Sequence, residues 1–259
     1  MSEEAQGEPA VEKPVQSVRA WRPWATVGLG LIIIFAHFVT QLAVATVLIV
    51  INVVSDSALD LLRLVESLAN GLAISITVIA SAIVGVVLTI VFIRIRKGIT
   101  VREYLGLKPI PKKTVFGLLA ITAGLVALSG GLNYIFGKSS EGDFNVDVYR
   151  TSVLPGLLWI AMVVFGPVFE EFFFRGFLFA GFRQSRLGSA GAIVLTAFLW
   201  AVLHIQYDIY GIATILVLGI VFGIARLKTG SLWSPLIMHS FWNFAVTLMI
   251  ALYSSGVIN

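Results

Sequence analysis

Apolar runs long enough to cross a bilayer as helices recur along most of the chain. A crossing helix needs about 20 mostly apolar residues. Window reading predicts seven such spans, at roughly 24–54, 68–93, 114–136, 153–181, 189–205, 209–226 and 231–253. Of the 259 residues, 58% are hydrophobic and 12% are charged, whereas a typical soluble domain is about 25% charged. The sequence therefore predicts an all-α, polytopic membrane bundle.

The predicted bundle occupies residues 23–259 and follows a polar tail, residues 1–22, without an apolar period. The tail lacks the basic start, short apolar core and cleavage site of a secretory signal, so we expect the first apolar run to be retained. A second polar stretch, residues 94–113, is basic and has apolar residues at near-helical spacing. This pattern predicts a short interfacial helix ended by proline, with an ordinary solvated loop as the alternative.

The basic residues predict the orientation of the bundle. With the N-terminus in the cytoplasm, fourteen of the eighteen Lys and Arg residues fall on the inner side and three on the outer side, and Arg175 lies in the membrane. Cytoplasmic loops of membrane proteins are enriched in Lys and Arg, so we expect seven spans with the N-terminus inside and the C-terminus outside. This distribution accounts for the net charge of +4 without a nucleic-acid partner.

The fourth predicted span carries three charges, Glu170, Glu171 and Arg175. A charge at the centre of a membrane helix costs about 2.5–3.5 kcal/mol on insertion scales. Residues four apart share a helix face, so Glu171 and Arg175 are expected to form an ion pair. Glu170 points elsewhere, which leaves it free to act as a base. The alternative is that all three charges only join this span to its neighbours.

Three more polar residues lie in the spans near the C-terminus. His204 ends the predicted fifth span, and His239 and Asn243 share a face of the seventh. Together with Glu170 they could form a water-activating site with oxyanion donors, or Glu170, His204 and His239 could bind zinc, because two His and one Glu form a known catalytic set. The remaining histidine, His37, is interpreted as a hydrogen-bonded core residue.

Two helix-packing signals accompany these polar residues. Pro167, which follows Gly166, is expected to loosen the fourth span just before the glutamates, or to form a routine kink. Gly219 and Gly223 have the spacing that favours close approach of two membrane helices, with homodimerisation as the alternative. The chain has no cysteine, which excludes disulfides, thiol nucleophiles and Cys-based metal sites.

These residues resemble the motifs of the CPBP family of intramembrane proteases, which includes type II CaaX prenyl endopeptidases and bacteriocin-immunity proteins. The EExxxR motif corresponds to Glu170, Glu171 and Arg175, and HxxxN corresponds to His239 and Asn243. The FxxxH motif falls on Trp200 to His204, with Trp in place of the usual Phe. The resemblance covers residues 155–245, the predicted catalytic core.

The resemblance implies hydrolysis of peptide bonds inside the membrane. By analogy, Glu170 and His204 activate water, His239 and Asn243 stabilise the oxyanion, and Glu171 and Arg175 support the site. We favour a glutamate mechanism without a cofactor, with zinc held by Glu170, His204 and His239 as the alternative. The expected partners are the lipid bilayer and a peptide or prenylated-protein substrate of the CaaX type.

Two other functional classes stay open at this stage. A proton-coupled transporter could use Glu170 and the histidines as a relay, although the paired broken helices of two related halves are not found in the sequence. A non-catalytic scaffold or immunity protein could bind a peptide without cutting it. The chain length and the lack of organelle signals predict a multi-pass protein of a prokaryotic plasma membrane.

Overall fold

The computed structural model describes residues 20–55, 68–136 and 142–257, with side chains omitted for 142–145. Regular structure in these residues is entirely helical, which confirms the predicted polytopic helical bundle. Most of the predicted polar tail lies outside the described residues. The helices are α1 Pro23–Ser55, α2 Gly71–Ile95, α3 Val101–Leu105, α4 Lys112–Ile135, α5 Gly142–Arg150, α6 Pro155–Phe182, α7 Gly188–Val202, α8 Ile209–Thr229 and α9 Trp233–Ser254.

Six of the described helices are long and apolar enough to cross a membrane: α1, α2, α4, α6, α8 and α9. The fifth predicted span, 189–205, corresponds to α7, which has only 15 residues and a length of about 22 Å. It ends at Val202, so His204 lies in the turn beyond the helix and not inside it. Seven membrane crossings, with the N-terminus and the C-terminus on opposite sides of the membrane, therefore stay a prediction.

Helix α6 is the most buried of the six spans and is irregular near the glutamates. Its residues Ala161–Phe165 and Glu171–Leu178 are π-helical. Between these two segments lie Gly166 and Pro167, and a proline has no backbone N–H to donate to the preceding turn. Such π-helical turns are frequent at functional sites. Glu170 ends the regular turn and Glu171 begins the second π-helical segment.

The glycine pair of α8 packs against α7 of the same chain. A Cβ atom on Gly219 would lie 2.8 Å from the Cβ of Ala197, and one on Gly223 would lie 2.8 Å from a methyl carbon of Ile193. Only glycine permits this approach, because such Cβ distances are far below ordinary van der Waals contact. The prediction of close helix packing is confirmed, and the helix that the glycines contact is α7.

The predicted interfacial segment contains a short helix, α3, that packs onto the bundle. Thr100 and Glu103 form a reciprocal capping box at its start, and these hydrogen bonds lower the pKa of the Glu103 carboxyl. The helix ends at Gly106, whose φ of 65° is left-handed, so the expected termination by proline is wrong. Leu105 is fully buried and Tyr104 almost so, and burial raises the pKa of the Tyr104 phenol.

Candidate active site

The ion pair predicted within α6 is present and entirely buried. Arg175 Nη1 lies 3.1 Å from Glu171 Oε1, and neither side chain is exposed. The second guanidinium nitrogen, Nη2, donates to the carbonyl oxygen of Gly219 at 3.3 Å. That oxygen is reachable because Gly219 has no side chain between the two helices. Arg175 therefore neutralises Glu171 and also connects α6 to α8.

Glu171 has a second partner that the helix spacing did not predict. His239 Nδ1 lies 2.9 Å from Glu171 Oε1, the same oxygen that accepts from Arg175. Because Arg175 keeps this carboxylate ionised, the carboxylate can only accept, and Nδ1 of His239 must carry a proton. The Nε2 atom of His239 then faces the other carboxylate, 3.8 Å from Glu170 Oε2. Glu171 thus fixes the orientation of His239 beside Glu170.

Glu170 is not the unpartnered carboxylate that the helical-face argument predicts. The indole N–H of Trp200 donates a hydrogen bond to Glu170 Oε2. Trp200 is 3% exposed, and a buried indole usually finds an acceptor. Sequence reasoning treated Trp200 only as a replacement for Phe and missed this contact. The spacing of four residues between Trp200 and His204 was the sequence signal that could have placed Trp200 at the site.

Trp200 also contacts the other polar groups of the site. The guanidinium carbon of Arg175 lies 4.4 Å from the centre of its ring, a distance typical of cation–π contacts. The ring of His239 packs edge-on against it at 5.1 Å, and the backbone carbonyl of Trp200 is hydrogen-bonded by His204 Nδ1 at 2.8 Å. Because a carbonyl only accepts, Nδ1 of His204 carries the proton and Nε2 of the neutral ring is free to accept one.

His204 and Asn243 make no direct hydrogen bond to Glu170 within the described part of the chain. Asn243 Nδ2 donates to the carbonyl oxygen of Met162 at 2.8 Å, which belongs to the first π-helical segment of α6. Glu170, His204, His239 and Asn243 nevertheless line a single cavity of about 1340 Å³. The four predicted residues are therefore brought to one cavity, in which His239 Nε2 lies 3.8 Å from Glu170 Oε2.

His37, interpreted from the sequence as a core residue, lines the same cavity. Its Nδ1 is hydrogen-bonded to the carbonyl oxygen of Ser81 on α2 at 3.1 Å. Its ring stacks on Phe169, with the two ring centres 4.3 Å apart. The expected hydrogen bonding is present, but the ring is half-buried at a cavity wall, so the assignment to the core needs correction.

The zinc alternative requires Glu170, His204 and His239 to bind one metal ion together. These side chains do not form such a group. Among the described residues, no three His, Asp or Glu side chains are grouped so that they could hold a metal ion. We therefore derive no step through a metal.

Comparison with known families identifies the part of the chain that holds this site. A family model described as type II CAAX prenyl endopeptidase, Rce1-like, matches residues 152–245. This segment contains α6, α7, α8 and half of α9, with all the motif residues described above. No curated protein and no solved structure matches the chain. Residues 152–245 are thus similar to the Rce1-like type II CAAX prenyl endopeptidases, a protease family.

Proposed function

We propose that the chain is an intramembrane endopeptidase that hydrolyses peptide bonds with a water molecule activated by Glu170. The observation that carries this proposal is the arrangement of His239, which is held by Glu171 and directed at Glu170 on the wall of a large cavity. The match of residues 152–245 to a protease family supports peptide-bond hydrolysis as the reaction. The proposed substrates are membrane-associated peptides, including prenylated proteins of the CaaX type, in a prokaryotic plasma membrane.

In the first step, Glu170 acts as general base. Its carboxylate takes a proton from water while the water oxygen attacks the carbonyl carbon of the scissile peptide bond. His204, whose Nε2 can accept a proton, assists this transfer. The electrons of the carbonyl double bond move to its oxygen, which becomes the oxyanion of a tetrahedral intermediate.

Two side chains are available to stabilise that oxyanion. Asn243 uses one N–H for Met162, and its second N–H can donate into the cavity. His239 can donate from Nε2 when both ring nitrogens carry protons, because Nδ1–H is already bound by Glu171. A single well-placed oxyanion donor is worth about 10²–10³ in kcat in a studied protease.

The intermediate collapses when the carbon–nitrogen bond breaks. The proton taken by Glu170 passes to the leaving nitrogen, so that a carboxyl and an amine product form. Glu170 is thereby returned to its ionised state. Glu171 and Arg175 take part in no bond change, and their proposed role is to hold His239 and the two helices in place.

A cleavage assay in detergent tests this mechanism. The purified full chain is incubated with fluorogenic CaaX peptides, prenylated and unprenylated, and with a library of membrane proteins. We expect Glu170→Ala to lower kcat at least 100-fold, the scale of a lost general base, and His204→Ala to lower it less. Glu103→Gln, which removes a carboxylate outside the cavity, is the matched control and should retain activity.

Three outcomes of the assay decide between the alternatives. Full activity of Glu170→Ala would eliminate the glutamate mechanism. Activity that a chelator abolishes and zinc restores would favour the metal alternative. A wild-type protein that binds the peptide without cleaving it would favour a scaffold or immunity role.

A further inference from the structure

Helix α1 carries two polar side chains at a cavity wall that the family match does not cover. His37 and Gln41 lie four residues apart on one face of a strongly apolar helix, and both line the cavity that contains Glu170. Polar and ionisable residues in membrane helices are expensive and usually face the bundle interior, where they serve a function. The match begins at residue 152, so it assigns no role to either residue.

The hydrogen bonds of His37 determine those of Gln41. The carbonyl oxygen of Ser81 can only accept, so Nδ1 of His37 carries a proton. In the neutral ring, Nε2 is then an acceptor, and it is bonded by the Gln41 side-chain nitrogen at 3.0 Å. The Gln41 amide is therefore oriented with its N–H toward His37.

Stacking fixes this pair relative to the catalytic helix. The ring of His37 lies almost parallel to Phe169, at an interplanar angle of 14°, and Phe169 immediately precedes Glu170. Phe169 also packs closely against α2, because a Cβ atom on Gly85 would lie 2.2 Å from its ring. The position of Gln41 is thus tied to the turn of α6 that carries the proposed base.

One N–H and the carbonyl oxygen of the Gln41 amide remain available at the cavity. Gln41 makes no other hydrogen bond to the described residues. A side-chain amide presents the same donor and acceptor as a peptide group. It can therefore form two hydrogen bonds with the N–H and the carbonyl oxygen of one residue in an extended peptide.

We propose that Gln41, positioned by His37, is a subsite that binds a backbone amide of the substrate peptide on the cavity wall formed by α1. This inference rests on the proposed endopeptidase function. The subsite recognises main chain and not side chain, so it suits substrates of varied sequence. Because Gln41 contacts the peptide away from the broken bond, it contributes to substrate binding and not to the chemical step.

The test combines a variant of Gln41 with backbone-modified peptides. Gln41→Met keeps the length of the side chain, removes the amide and suits an apolar helix. A series of farnesylated CaaX peptides each has one backbone amide replaced by an ester, which removes a single N–H. We expect Gln41→Met to raise KM about tenfold with kcat within about twofold, the pattern of lost uniform binding.

Combining Gln41→Met with the ester peptides distinguishes a substrate-binding role of Gln41 from a structural one. At one peptide position, the ester should raise KM of the wild type about fivefold and leave KM of Gln41→Met unchanged, because the same hydrogen bond is already absent. Additive effects at every position, or an unchanged KM for Gln41→Met, would overturn the subsite. The control is Thr40→Val, whose hydroxyl bonds to Ala36 of its own helix, and it should behave as wild type.

A binding measurement makes failure of the subsite distinguishable from failure of the proposed function. Fluorescence anisotropy of the same peptides is recorded with Glu170→Gln, alone and combined with Gln41→Met. A tenfold weaker Kd in the combined variant supports the subsite even if the wild type cuts nothing, in which case only the endopeptidase proposal fails. Equal Kd values, or no binding of any peptide, would refute the subsite.

Discussion

Trp200 is the residue that contacts the most members of the candidate site. Its indole N–H bonds to Glu170, its carbonyl accepts from His204, and its ring packs against Arg175 and His239. Trp200→Phe introduces the residue usual in the resembled family, and it removes the indole N–H while keeping a smaller aromatic ring. A hydrogen bond to a charged group is worth about 1.5–3 kcal/mol, so we expect kcat to fall at least tenfold with KM nearly unchanged.

The cleavage assay on the farnesylated CaaX peptide measures this effect. Trp233→Phe is the matched control, because Trp233 is 42% exposed and is not among the described residues that line the cavity. Activity of Trp200→Phe equal to that of the wild type would show that the indole N–H does not orient Glu170. A fall in the kcat of both variants would indicate a general effect of losing a tryptophan.

Arg175 is the residue on which folding is expected to depend most. Its removal leaves Glu171 charged and fully buried, and breaking a buried pair costs about 3–5 kcal/mol. We expect Arg175→Met to lower the folded yield and the thermal unfolding midpoint in detergent. The second change Glu171→Gln should recover part of the loss by removing the uncompensated charge. An unaltered melting curve for Arg175→Met would contradict this structural role.

At the scale of elements, α7 and α8 approach each other closely at Gly219. A larger side chain there must displace Ala197 or the Arg175 guanidinium, and overpacking typically costs about 1–3 kcal/mol. We expect Gly219→Leu to lower the thermal midpoint and, through Arg175, to reduce activity. Gly124→Leu is the control, because a Cβ atom at Gly124 meets nothing within 4 Å. Equal stability of the two variants would show that α7 and α8 separate without cost.

Features set by spacing along one helix were predictable, whereas contacts between helices were not. The pairing of Glu171 with Arg175 follows from a separation of four residues, and a closely packed face of α8 follows from the spacing of Gly219 and Gly223, although its partner α7 does not. The bonds from Trp200 to Glu170 and from His239 to Glu171 depend on how helices far apart in sequence cross. Periodicity also could not place the end of α7, because Leu203 and Ile205, which lie beyond the helix, are apolar.

At the scale of the whole molecule, the charge distribution makes a prediction about orientation. The chain has no cysteine, so single cysteines can be placed without a background signal. With seven crossings, Lys97→Cys should lie in the cytoplasm and Val257→Cys outside. An impermeant maleimide should then label Val257→Cys in intact cells and Lys97→Cys only after lysis. Labelling of both from one side would mean that α7 does not cross.

Arg226 connects the membrane-surface part of the molecule with its interior. Its guanidinium donates to the carbonyl oxygen of Arg175 in the second π-helical segment and to that of Leu105 at the end of α3. The Arg226 guanidinium thus holds both the end of α3 and the backbone of α6 at Arg175, one turn from Glu171. A displacement of α3 would break one of these two hydrogen bonds. Because the sequence predicts that α3 lies at the lipid headgroups, we expect membrane composition to influence the buried carboxylates through this single side chain.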